Sequence, residues 1–156
     1  MTNSNKRFSF EFFPPRTDVG KEKLVGVWEE LSLLNPDFFS VTYGAGGSTR
    51  KNTLGIVTAM RKAGLDVAPH LSFGGDDDAD MLALINQYQE LGVNRIVALR
   101  GDTPSGMGAS RSLYANELVA FIRANTGDHF HLEVAAYPEI HPESKSYTSD
   151  IGFLKQ

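Results

Sequence analysis

The chain has 156 residues, 41% of them hydrophobic, and a formal net charge of −4. This is the composition of an ordinary globular domain large enough for a sizeable core, and its mild acidity gives no basic footprint for nucleic acid. It contains no cysteine, which excludes disulfides and thiolate metal sites and is compatible with a reducing cytoplasm.

The polar start, Met1 to Arg7, lacks the apolar core of a signal peptide, and no run reaches the roughly 18 apolar residues of a membrane helix. Phe8-Ser9-Phe10-Glu11-Phe12-Phe13 then reads as a strand, because aromatic side chains favour a pleated surface. Pro14 and Pro15 cannot continue its ladder. Alternation puts Phe8, Phe10 and Phe12 on one face and Ser9, Glu11 and Phe13 on the other. A carboxylate among aromatics is costly unless it is partnered or protonated. Glu11 is therefore either a functional acid, or a carboxylate that pairs with an arginine or lysine or sits at an edge in solvent.

Leu24, Val27, Trp28, Leu31 and Leu34 recur at helical spacing and predict an amphipathic helix that ends at Asn35-Pro36. Phe38 to Tyr43 is a second strand running into Gly44-Ala45-Gly46-Gly47. Ser48 or Thr49 can cap the next helix, whose apolar face is Ile56, Val57, Met60 and Ala63, with Gly64 as its stop. Val67 to Phe73 is a third strand and contains His70. Asp76, Asp77, Asp78 and Asp80 do not follow a calcium-loop pattern and read as helix-capping acids. The helix they open carries Met81, Leu84, Ile85, Tyr88 and Leu91, and Gly92 closes it.

Arg95 to Arg100 is a fourth strand ending in Gly101-Asp102. Thr103 to Ser112 reads as a mobile loop. Tyr114, Leu118, Phe121 and Ile122 mark a fourth helix that closes near Gly127. Leu132 to Tyr137 is a fifth strand, broken by Pro138, and a fifth helix is expected from Glu143 onward.

Strand–helix units thus repeat about every 30 residues, which predicts an α/β fold with parallel strands and right-handed crossovers. A doubly wound sheet and a (β/α)8 TIM-barrel type both fit. Regular spacing without a dinucleotide fingerprint favours the barrel, of which only about the first five βα units are present, since a whole barrel takes about 250 residues. In both architectures ligands bind at the carboxyl ends of strands. Glu11, Thr42 with Tyr43, His70, Arg100 to Asp102, and Tyr137 to His141 all fall there. Each has a plainer reading alone: His70 as a core histidine, Arg100 and Asp102 as a structural ion pair. All five strands ending this way is the stronger signal. Of the possible metal ligands His129, His131, Glu139, His141 and Glu143, His129 and His131 lie at the far end from His141, so no shared metal site is expected, and no serine sits in a nucleophile elbow.

Ser9-Phe10-Glu11-Phe12-Phe13-Pro14-Pro15, Val41-Thr42-Tyr43-Gly44-Ala45, Ala68-Pro69-His70-Leu71, Ala98-Leu99-Arg100-Gly101-Asp102 and Ala135-Ala136-Tyr137-Pro138-Glu139 with His141-Pro142-Glu143 resemble, in order, the motifs of methylenetetrahydrofolate reductases. The resemblance spans essentially the whole chain. It implies a flavin-dependent barrel in which NADH or NADPH reduces FAD and the flavin reduces methylenetetrahydrofolate. It makes Glu11 the general acid, suited to a carboxyl in apolar surroundings, and sets Asp102 beside flavin and pterin as a second catalytic residue. Thr42 is implied near the nicotinamide. Tyr43, Ala45, His70, Arg100, Gly101, Asp102, Tyr114, Ala115, Tyr137, His141 and Asp150 are implied as FAD contacts, with Arg100 the cation for the cofactor's phosphates or for a reduced-flavin anion. A cytoplasmic homo-oligomer is expected, with no nucleic-acid or membrane partner. The family's last three strands, with their folate and nicotinamide residues, have no counterpart here. The alternative expectation is therefore a half-barrel that is inactive alone and either binds FAD weakly or assembles with a complementing segment.

Overall fold

The computed structural model describes residues 6–43, 47–73, 77–100, 114–137 and 139–155, and for 47–49 the backbone alone. Strands β1 (Ser9–Phe12), β2 (Phe38–Val41), β3 (Val67–Leu71), β4 (Arg95–Ala98) and β5 (His131–Val134) alternate with helices α1 (Asp18–Ser32), α2 (Gly47–Lys62), α3 (Asp78–Glu90), α4 (Ala115–Thr126) and α5 (Tyr147–Leu154). The strands form one sheet, all pairs parallel, in the order β1-β2-β3-β4-β5. A doubly wound sheet reverses its order at a switch point; these five strands do not. The predicted loop at Thr103–Ser112 lies outside the described residues.

The register decides which side chains meet. Phe10 pairs with Phe39, Phe12 with Val41, Phe39 with Val67, Leu71 with Ala98, and Ile96 with Leu132. These residues share one face. Phe12, Phe39, Val41, Val67, Leu71, Ile96 and Ala98 form a single core with Leu24 and Trp28 of α1, Ile56, Val57 and Met60 of α2, Met81, Leu84, Ile85 and Tyr88 of α3, and Leu118 and Ile122 of α4. Consecutive right-handed crossovers without a reversal put the helices on this one side. The other face presents Glu11, Ser40, Ala68, His70, Arg95, Val97 and Glu133. Polar chemistry therefore collects on the helix-free face, while burial of the aromatic and branched residues opposite, about 1.5–3 kcal/mol each, holds the sheet.

Local signals explain most boundaries. Thr17 caps α1 by accepting from the Gly20 amide at 3.1 Å. A Cβ at Gly20 would stand 2.8 Å from the Pro15 ring carbon Cβ, so Pro15 packs directly on the helix start. Asn35 takes φ 53° just before Pro36 and ends the α1 segment. Asp77 accepts from the Asp80 amide at 2.8 Å, the capping role expected for the aspartate run; Asp76 lies outside the described residues.

Several expectations are corrected. Val27 and Leu34 are 44% and 59% exposed, because α1 covers the sheet's edge strand with the narrow stripe Leu24, Trp28 and Leu31, and Leu34 lies past the last turn. Ala63 likewise follows the end of α2 and is exposed. α2 has begun by Gly47, so Ser48 and Thr49 lie inside it and not at its cap. β5 stops at Val134, short of Tyr137. α5 starts at Tyr147, capped by Ser146, and not at Glu143. Among the described residues no helix is long and apolar enough to cross a membrane.

The core holds one polar anomaly. The Tyr88 hydroxyl is buried with no hydrogen-bond partner among the described residues, and burial, with Tyr43 nearby, pushes its pKa far up. An orphaned hydroxyl in a core is destabilising. Tyr88→Phe is expected to stabilise the fold by about 1 kcal/mol, raising the melting midpoint by about 2–4 °C. A lowered midpoint in a thermal melt would mean that the hydroxyl is partnered after all.

Candidate active site

Glu11 is the third residue of β1, flanked by the two rings that face the helices. Phe10 and Phe12 both stack on Phe39, with centroids 6.1 and 5.5 Å apart and interplanar angles of 26° and 14°. Those stacks fix the orientation of β1, and the pleat then turns Glu11 to the opposite face. There, among the described residues, Glu11 meets an imidazole and not an arginine or lysine. His70 Nε2 lies 3.3 Å from Glu11 Oε2, with the His70 side chain 10% exposed and that of Glu11 51% exposed. Glu11 is thus half open to solvent and not enclosed by the phenylalanines. Burial pushes the pKa of His70 down, partly offset by the Glu11 carboxylate, and keeps the imidazole neutral near pH 7.

Thr42 is pinned beside the end of β1. Its amide donates to the Phe12 carbonyl at 2.9 Å, and its own carbonyl accepts from the buried Thr53 hydroxyl at 2.9 Å. Tyr43 follows directly, half-buried and close enough to Tyr88 to influence its ionisation.

A second group forms after β4 and β5. The Arg100 guanidinium lies over the Tyr114 ring, 4.9 Å from its centroid, and is ion-paired to Glu143. The Glu143 amide donates to His141 Nδ1 at 3.1 Å, which leaves Nε2 as the protonated nitrogen of a neutral imidazole. The His141 amide donates to Asp150 Oδ2 at 3.1 Å, tying the loop to the first turn of α5. The Tyr137 ring stands edge-on to His141 at 4.7 Å. Between them Ile140 takes φ 90°, a region that β-branched residues rarely enter and that costs of order 1–3 kcal/mol. The Arg100 guanidinium holds the Glu143 carboxyl below the usual range. Glu143 is exposed, so the pair adds little to folding; its importance is positional.

Five predicted residues, Arg100, Tyr114, Tyr137, His141 and Asp150, are thus linked in one group, and Glu11 and His70 form another. Ala115 opens α4 directly after Tyr114. Ala45, Gly101 and Asp102 lie outside the described residues. Sequence reading placed Glu143 only in a family motif and among possible metal ligands; among the described residues it is an acid paired with Arg100. The available signal was an acid two residues after His141 in a loop leaving a strand end.

The far end of the sheet is different. Arg95 is paired with Glu133, stacks over Phe38 at 4.5 Å, and shares Glu133 with His131, whose Nε2 is 3.4 Å from the carboxylate. His129 Nε2 lies 3.1 Å from the Val93 carbonyl. Among the described residues no three histidine or acidic side chains are grouped to hold a metal ion.

The family model described as methylenetetrahydrofolate reductase matches residues 1–156. A 5,10-methylenetetrahydrofolate reductase of Pectobacterium carotovorum is 44% identical over 148 residues, covering 94% of this chain and 49% of the relative. The Escherichia coli protein of the same name is 42% identical, covering 95% and 49%. A rice protein named as a probable methylenetetrahydrofolate reductase (NADH) is 34% identical, covering 96% and 28%. A solved structure, Streptococcus suis SuiB, overlaps 89% of this chain and 43% of its own at 14% identity and TM-score 0.41, too slight a likeness to bear on fold or function. The chain spans about half the length of the bacterial relatives it matches. On the match of the family model across all its residues, the chain belongs to the methylenetetrahydrofolate reductase family.

Proposed function

We infer that this chain is the flavin-binding, acid-bearing part of a (β/α)8 barrel that reduces 5,10-methylenetetrahydrofolate to 5-methyltetrahydrofolate with NADH or NADPH. The observation that supports this most is the gathering of Arg100, Tyr114, Tyr137 and His141 where β4 and β5 end, with Glu11 at the end of β1 on the helix-free face. The donor set suits FAD. Arg100 offers a guanidinium to phosphate or to an anionic ring, while Tyr114 and Tyr137, 56% and 50% exposed, offer planar surfaces. Thr42, Tyr43, Ala45, His70, Gly101, Asp102, Ala115 and Asp150 complete the set in this reading.

Bound FAD supplies the hydride relay between nicotinamide and folate. The chain's own residues supply the rest. Glu11 donates a proton to the bridging nitrogen of the folate; its O–H bond breaks, the imidazolidine ring opens, and the resulting iminium becomes the hydride acceptor. The Asp102 carboxylate favours that cation electrostatically. Thr42 lies near the nicotinamide. Assembly as a cytoplasmic homo-oligomer belongs to the same reading. The second reading is a half-barrel, inactive alone, that needs a complementing segment. It draws on α5, which has no buried residue and exposes Tyr147, Ile151, Phe153 and Leu154.

Titrating the purified protein with FAD and following flavin fluorescence tests the proposal. Saturable binding is expected, weakened about 10- to 100-fold in Arg100→Met through loss of a charge-assisted contact. A protein that stays colourless and takes up no FAD overturns flavin binding by these residues alone, and equal affinity in Arg100→Met removes Arg100 from the site.

A further inference from the structure

The acid of the proposed reaction has a neighbour whose part in proton transfer can be read from the geometry, taking Glu11 as that acid. β2 separates Glu11 from His70, yet their side chains meet. The register explains how: Glu11 is level with Ser40, and Ser40 with Ala68. Two small side chains occupy the space between, both at most 5% exposed, so the longer pair reaches across the strand above them. His70 Nε2 ends 3.3 Å from Glu11 Oε2.

Few of the described residues face His70. Among the described residues, the strand neighbours on its face, Ser40 of β2, Ala68 of β3 and Val97 of β4, carry no charge, and Glu11 of β1 is the ionisable group that acts on it. A buried, neutral imidazole has one protonated nitrogen and one bare one. With the proton on Nε2, it donates to Oε2 of the carboxyl. That leaves Oε1 to carry the transferable proton. As the proton leaves Oε1, its bonding electrons stay on the carboxylate, and the same Nε2–H steadies the charge as it forms.

The geometry points to His70 as the positioning residue of Glu11: it anchors one carboxyl oxygen so that the other presents the proton to the folate nitrogen. A wider side chain at position 40 would separate the pair.

Imidazole NMR of the chain, without cofactor, tests the contact directly. Above pH 7 His70 is expected as the Nε2–H tautomer, and Glu11→Gln is expected to move its titration midpoint downward, because the carboxylate supports the protonated ring. A bare Nε2, or a midpoint that Glu11→Gln does not move, overturns the inference, and this arm does not require a His70 variant to fold. In FAD-saturated protein, His70→Ala is expected to slow the folate step about 10- to 100-fold more than the flavin-reduction step and to alter the pH dependence of the folate step. His70→Gln, which keeps an amide donor, is expected to recover part of the rate. If Glu11→Gln abolishes folate reduction while His70→Ala leaves the pH profile of that step as in the parent, the positioning role fails and Glu11 stands. If Glu11→Gln spares folate reduction, the acid assignment itself fails.

Discussion

On the proposed function, Glu11→Gln is expected to lower reduction of methylenetetrahydrofolate about 10²- to 10⁴-fold, the range over which a positioned general acid contributes, while NADH- or NADPH-driven reduction of bound flavin persists. The asymmetry follows from the chemistry. Folate must gain a proton on nitrogen before its one-carbon unit can accept hydride; passing hydride from nicotinamide to flavin needs no proton from this carboxyl. Glutamine keeps the size of the side chain and removes the acid. Because the Glu11 side chain is half exposed, the change should move stability by no more than about 0.5 kcal/mol, so lost activity can be separated from lost structure by a melt. Rapid mixing of each half-reaction is the measurement. Equal losses in both would place Glu11 in flavin binding and not in proton transfer.

The parts of this molecule that were legible in the sequence are those governed by local rules. Aromatic strands cut by Pro14-Pro15, the Asn35-Pro36 stop, and glycines at 64, 92 and 127 taking φ 80°, 72° and 57° announce their own geometry. Polar residues at successive strand ends marked a candidate site for the same reason: a strand's last residues can be placed from its pattern alone. The two pairings within the site were not legible. Arg100 and Glu143 are 43 residues apart, and nothing local tells a cation which of several acids it will meet. Glu11 and His70 meet only because Ser40 and Ala68 stand at matching register positions with small side chains, a condition that appears once three strands are aligned. Val27 failed as a core residue for a related reason. Spacing identifies a helix, but the width of its buried stripe depends on how much sheet lies beneath it, and α1 sits over an edge.

Stability and site meet at Phe39. Its ring is 2% exposed and stacks against both Phe10 and Phe12, the residues on either side of Glu11. Among the described residues β1 is an edge strand whose sheet partner is β2, so this three-ring stack adds to the four register pairs and the packing of Phe12 on Leu24 and Trp28 that hold it. Phe39→Ala is expected to cost about 3–5 kcal/mol, the sum of lost transfer energy and the cavity left behind, a large share of the 5–15 kcal/mol typical of a domain. Phe39→Leu, which keeps most of the volume, should cost less than about 1.5 kcal/mol. The exposed Phe8, 44% accessible, serves as the control, and its change to Ala should stay near 0.5 kcal/mol. Urea unfolding reads these as shifts in midpoint at constant slope. A loss below 1 kcal/mol in Phe39→Ala would mean that the stack does not secure β1. If the stack does secure it, a loosened β1 should also widen the spread of Glu11 positions. His70 should then titrate in Phe39→Leu closer to its Glu11→Gln behaviour than to the parent's, even though neither ionisable group has been changed.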